Sequence, residues 1–114
     1  MISHGSIRLS NIFQLIFRSC PEGSLQEDCH WSIKTDAGLR THTVSFMTAT
    51  WVEDVTMDGR NIKSFFTQTG PNQLVELQVG ETVNTTLVRD FYRDRLVVNM
   101  TVNNVTASSL FLRK

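Results

Sequence analysis

The sequence predicts an all-β fold, on three observations. From Trp31 to the C-terminus, short runs rich in Val, Ile, Thr and aromatic residues recur every ten residues or so. Turn residues stand between them: Asp36-Ala37-Gly38, Asp58-Gly59, Gly70-Pro71-Asn72, Arg93-Asp94 and Asn103-Asn104. Within the runs, apolar and polar residues alternate, as they do where a strand is buried on one face only. These features define a meander, sandwich or barrel without deciding among them.

In order, the predicted strands are Trp31 to Thr35, Leu39 to Met47, Trp51 to Thr56, Asn61 to Gln68, Gln73 to Val79, Thr82 to Tyr92, Leu96 to Val102 and Val105 to Leu112. Asp58-Gly59 is the strongest short hairpin signal among the turns. Residues 1–30 read differently. A helix capped by Ser10 or Asn11 and running through Arg18 fits them, and so does a strand. Cys20-Pro21-Glu22-Gly23-Ser24 then forms a turn. The chain is thus one domain, 1–114, with an atypical segment 1–30 ahead of a β meander over 31–114.

Eleven basic and eleven acidic residues cancel, which gives no general field for drawing in nucleic acid. Cys20 and Cys29 are expected as two free thiols of a reducing compartment, with one bridge closing a short loop as the alternative. With His30 they fall short of the four ligands a structural zinc site needs, so no metal or other cofactor is expected. No nucleophile–base pair or phosphate loop marks an enzyme. Three Asn-x-Thr sequons begin at Asn84, Asn99 and Asn104 and are accidental in a threonine-rich β protein.

The strand faces carry the functional signal. Leu96, Val98, Met100 and Val102 form one apolar side, and Ile62, Ser64 and Phe66 share another. Arg89 lies on the more apolar side of its strand, with Val83, Thr85, Leu87 and Phe91. A guanidinium there needs a partner, because desolvating it costs several kcal/mol. Either a carboxylate such as Glu76 meets it, or a ligand anion does. Simple burial turns Val75, Leu77 and Val79 inward and Glu76 and Gln78 outward; the opposite orientation would mean a hydrated interior. Phe65 and Phe66 cannot both face inward on a regular strand.

With strands and turns in place, Trp51-Val52-Glu53-Asp54-Val55-Thr56-Met57-Asp58-Gly59-Arg60-Asn61-Ile62-Lys63-Ser64 resembles the central signature of the intracellular fatty-acid-binding proteins. Ile33-Lys34-Thr35 and Val44-Ser45-Phe46 match upstream. Downstream, Thr67 to Val75 and Leu87-Val88-Arg89-Asp90-Phe91 are most similar to the arthropod branch, and Thr101 to Ala107 matches the last hairpin. The likeness covers about 84 residues, everything from Trp31.

The resemblance implies an up-and-down antiparallel barrel of the lipocalin-like kind, with ten strands, a water-filled cavity and two short lid helices near the N-terminus. It implies a cytoplasmic carrier of long-chain fatty acids or similar lipids, with transient membrane contact and a monomeric state unless open strand edges drive association. Carried over by position, Arg89 is the interior arginine, Arg60 and Asp58 a polar pair near the cavity, and Thr35 and Gln78 lining residues. Leu39 and Met57 belong to the portal. Two departures stand out. Where many members carry Arg-x-Tyr in the last strand, this chain has Ser109 and Phe111, which leaves Arg89 the main anchor and makes a neutral ligand more plausible. Where members have nearly fifty residues before the strand at Trp31, this chain has thirty, so the usual first strand, lid and second strand are expected to be replaced. A β module acting through protein association is the alternative function, since a barrel short of strands exposes edges.

Overall fold

The structure, a computed structural model, describes residues 4–9, 12–23 and 29–113. It contains ten strands: β1 (His4–Leu9), β2 (Ile12–Ser19), β3 (His30–Asp36), β4 (Thr41–Met47), β5 (Trp51–Val55), β6 (Asn61–Gly70), β7 (Gln73–Val79), β8 (Asn84–Phe91), β9 (Arg95–Val102) and β10 (Val105–Arg113). They form one antiparallel sheet in the order β4-β3-β2-β1-β10-β9-β8-β7-β6-β5. Each strand therefore pairs with its neighbour in sequence, and the ring is continued by β1 against β10, through Ile7↔Arg113 and Arg8↔Leu112.

The eight strands expected from Trp31 onward are all present. For the first thirty residues, of the two readings left open the strand is the one present over 12–19, while the proposed caps Ser10 and Asn11 lie outside the described residues. The expected replacement of the usual first strands is corrected. The two N-terminal strands are not replaced; β1 and β2 supply them. Only residues 10 and 11 separate β1 from β2, which leaves no room for a helical lid between them. The apolar run Ile12 to Phe17 suits either structure locally. What decides it is distant: β3 offers a ladder from Phe13↔Asp36 to Ser19↔His30, which would otherwise be left unsatisfied. Gln14 and Ile16 then face inward and are buried, while Phe17 faces out.

The same register corrects the expectation of two free thiols. Ser19 stands opposite His30, so the next residues out are Cys20 and Cys29, and they form a disulfide. The bridge clips the β2–β3 connection.

The turns follow the sequence closely. Gly38 and Gly59 both take positive φ, 84° and 87°, which glycine adopts without steric cost. Asn103 and Asn104 have φ of 49° and 66°, the left-handed pair that a two-residue hairpin of matching twist demands.

β4 and β5, the two ends of the sheet, share no backbone ladder. The seam between them is spanned by side chains. His42 Nε2 and Asp54 Oδ2 are 2.9 Å apart, and Arg40 Nη1 donates to the Met57 carbonyl at 2.8 Å. The barrel is thus ringed by strands but open along one line of hydrogen bonds.

The inner face is packed at one end and exposed at the other. Near the disulfide, Trp31, Phe46 and Phe66 stack, with ring centroids 6.1 Å and then 3.5 Å apart. Ile16, Leu74, Leu96 and Phe111 complete this dry floor. Toward the Asn103-Asn104 end, Met100 is on the same side of β9 as buried Leu96 and Val98, yet it is 42% exposed. Ser109 shares a side of β10 with buried Phe111 and is likewise exposed. The molecule is a cup, with an aromatic floor and an accessible mouth.

The ten-residue loop closed by Cys20–Cys29 should stabilise the fold by about 2.5 kcal/mol through loss of unfolded-chain entropy. Urea unfolding with and without reductant checks this; the midpoint should fall on reduction while the slope changes little. Phe46, sandwiched in the floor, should cost about 3–5 kcal/mol when truncated to alanine, measured in the same way.

Candidate functional site

Above the floor lies a polar cluster carried by three adjacent strands. β6 contributes Ser64, β7 contributes Glu76 and Gln78, and β8 contributes Arg89. Their positions follow from pairing: Ser64 stands opposite Gln78, Phe66 opposite Glu76, and Leu74 opposite Arg89. Leu74 and Phe66 are fully buried, so their sides of β7 and β6 face inward. Glu76 and Gln78 share the Leu74 side and point inward too. Of the two orientations the sequence leaves open, the structure takes the inward one, against the simple count of apolar neighbours. Val75, Leu77 and Val79 lie on the outer face, and Leu77 is exposed there. Phe65 is also outward, packed against Trp51 at 5.1 Å, while Phe66 is the inward ring.

Arg89 Nη1 donates to Glu76 Oε1 at 2.8 Å, and both side chains are more than nine-tenths buried. The other carboxylate oxygen, Oε2, accepts from Ser64 Oγ at 3.0 Å and Gln78 Nε2 at 2.8 Å. Of the two partners the sequence allows for Arg89, the structure supplies the protein's own carboxylate. The guanidinium is not saturated, because its Nε is buried without a hydrogen-bond partner. Gln14 on β2 extends the polar lining, donating from Nε2 to Thr35 Oγ1 at 3.3 Å while its Oε1 is unpaired.

The other residues singled out from the sequence divide between floor, wall and rim. Phe111 is part of the floor, and Thr35 is half-buried beside Gln14. Ser109 lines the accessible part of β10. Leu39 and Met57 lie in the turns at the mouth, where Leu39 is fully exposed. Asp58 and Arg60 stand at the same rim and bind each other: Arg60 Nε donates to Asp58 Oδ2 at 2.9 Å. Both are largely exposed, and the structure does not bring them to the Arg89 cluster. Hydrogen bonds from Thr56 and then Arg60 hold the Asp58 carboxyl below its usual range. The turn's charge pair is therefore complete above that range and is lost as the pH falls through the lowered value. Beside this turn, a cleft of about 590 Å³ is lined by Asp54, Ile62, Val79 and Gly80 among others.

Sequence reasoning missed three contributors. Ser64 appeared only as a member of a strand face, although its place beside two apolar inward residues marked it as a buried hydroxyl. Gln14 lay in the segment of undecided structure. Arg18, also inward on β2, sits at the floor: its guanidinium lies 5.6 Å from the Trp31 ring centroid, and Nη2 approaches Cys29 Sγ at 3.6 Å.

No family model matches the chain. A fatty-acid-binding protein of the mite Tyrophagus putrescentiae is 32% identical over 84 residues, 74% of this chain and 63% of that protein. Human cellular retinoic acid-binding protein 2 is 30% identical over 93 residues, 78% of this chain and 67% of that protein. The chain thus spans a little over three fifths of the length of the mite protein. Among solved structures, the Schistosoma mansoni fatty acid binding protein in complex with arachidonic acid superposes with a TM-score of 0.76 at 21% identity, over 90% of this chain and 72% of that one. That likeness bears on the fold alone.

The buried ion pair makes a direct prediction. Replacing Glu76 by methionine leaves an unpaired cation in the wall and should cost about 3–5 kcal/mol, whereas the Glu76→Met/Arg89→Met double variant should cost clearly less. Denaturant unfolding of the four proteins gives the coupling. By strand order, inward polar cluster and sequence identity, the chain belongs to the fatty-acid-binding protein family.

Proposed function

We propose that the chain holds a long-chain fatty acid or a related lipid inside the cup and carries it through the cytoplasm. One observation supports this above the others: a buried polar cluster around Arg89 sits between an aromatic floor and an inner wall that is open to solvent. Such a wall offers apolar surface to a chain and hydrogen bonds to a head group, the combination that ligand cavities generally show. Each methylene taken from water contributes about 0.8 kcal/mol, so a tail with eight methylenes against the wall contributes about 6 kcal/mol before ordering costs. In this reading Arg89, Gln78, Thr35, Ser109 and Phe111 line the site. Leu39 and Met57 mark the mouth, with exposed Leu39 suited to brief contact with a membrane. Asp58 and Arg60 are rim residues that shape the entry turn. No catalytic step forms part of this reading. In a reducing cytosol the Cys20–Cys29 pair would exist partly as thiols, at the stability cost given above.

A second reading has its own observation. Among the described residues β10 meets β1 at two register positions, and Val105, Leu110 and Leu112 are exposed along it. An apolar strand with a free edge is a template for pairing with another chain, so association through β10 is the alternative function.

Mass spectrometry of lipids extracted from the natively purified protein tests the first reading. The expected result is a stoichiometric amphipath with a chain of 14 or more carbons. Protein that carries no lipid and leaves a fluorescent fatty-acid probe unbound would sink it. Size-exclusion chromatography tests the second, which requires concentration-dependent dimers.

A further inference from the structure

The lipid-carrier reading leaves open which head group the cluster accepts, and the arrangement around Arg89 bears on it. Resting on that reading, we propose that the site selects amphipaths with an uncharged hydroxyl or primary amide head over free carboxylates.

The argument begins with charge. Arg89 already has an anionic partner at 2.8 Å, and both side chains are shut away from water. A ligand carboxylate that reached the Arg89 guanidinium would lie within a few ångströms of the Glu76 carboxylate. Two anions at that spacing in a poorly solvated wall oppose each other strongly. The second inward carboxylate of this wall, Asp54, adds to the negative side and is held across the seam by His42. Arg18 stands at the floor instead of the cluster, against Trp31 and Cys29, with its own Nε buried and without a hydrogen-bond partner.

Hydrogen-bonding capacity points the same way. A carboxylate has about four acceptor positions, and Glu76 uses one from Arg89, one from Ser64 and one from Gln78. One position therefore remains. Arg89 Nε is a buried donor with no partner. The pair thus presents one spare acceptor on Glu76 and spare donors on Arg89, where one of the five guanidinium N–H groups is engaged. A hydroxyl or an amide can both donate and accept, so it can satisfy both at once. A carboxylate only accepts, and it would leave the Glu76 position unfilled while adding a like charge. Ser109 and Phe111 extend the same logic, since neither adds a cation to the wall.

The test compares oleyl alcohol, oleamide and oleate as competitors of Nile red, an uncharged probe, at pH 7.4. The full chain and its Glu76→Gln variant are used, with circular dichroism confirming that the variant keeps its strands. The wild-type chain should bind the alcohol and the amide on the order of tenfold more tightly than oleate. Glu76→Gln removes the opposing charge and should move the ratio toward oleate by on the order of tenfold or more. The wild-type order decides the matter even where the variant does not fold. Preference for oleate in the wild-type chain would overturn the proposal. If that preference were abolished by Arg18→Met, the head group would belong at the floor instead. Equal binding of all three lipids in both proteins would also overturn it, while leaving the carrier reading intact. Failure of all three to compete, with Nile red itself unbound, would take down the carrier reading and the proposal together.

Discussion

A guanidinium facing inward is the constraint around which this fold is arranged. Removing an ion from water costs several kcal/mol, and a buried pair returns that only with good geometry and satisfied lone pairs. Arg89 therefore requires Glu76 on the neighbouring strand, and Glu76 requires Ser64 and Gln78 to occupy its second oxygen. All four depend on the β6–β7–β8 register. A slip of one residue in β7 would turn Glu76 and Leu74 outward together, leaving a bare cation in the wall and a hole in the floor. The polar cluster and the apolar floor thus specify one alignment for different reasons, and the agreement between them makes that alignment unique.

The floor explains why the cup has a direction. Aromatic and aliphatic residues gather at the end where Cys20 and Cys29 join β2 to β3, and that end excludes water from the inner face. At the other end, no helices separate β1 from β2, and inner residues of β9 and β10 meet solvent. The packed apolar contacts and the solvent-exposed inner wall thus lie at opposite ends of the same strands. Regions with few buried contacts are those that open most readily.

From Trp31 onward the architecture was legible, because each strand advertises itself locally. Alternation marks Leu96 to Val102, and turn residues such as Asp58-Gly59 and Asn103-Asn104 punctuate the strands with left-handed geometry that few other residues tolerate. What escaped local reading was settled by distant partners. Ile12 to Phe17 is apolar enough for helix or strand, and only the β3 ladder decides. The Cys20–Cys29 bridge depends on that same ladder, which no spacing rule reveals. The facing of Glu76 stays open in the sequence because its strand has three apolar residues on one side and one on the other. The single Leu74, fully buried, outweighs them because it faces the floor while Val75, Leu77 and Val79 cover the outer wall.

The candidate site was legible in part for a similar reason. Arg89 stood out because a charge among apolar alternate residues is informative wherever it occurs. Its partner is legible only as one of two possibilities, a carboxylate such as Glu76 or a ligand anion, since a glutamate beside Val and Leu also reads as an ordinary solvent-facing residue. The family likeness supplied the role of an interior arginine, but roles transfer only as far as the surrounding charges do. An arginine with a free guanidinium and one already bound to a glutamate present opposite demands to an incoming head group. Position in the fold turns Arg89 inward, and its neighbours, Glu76 first, set the electrostatics around it. The same distinction separates Asp58 and Arg60 from the cluster. They satisfy each other at the rim in water, where an ion pair contributes little, and so they shape a turn where Arg89 and Glu76 fix the register of the inner wall.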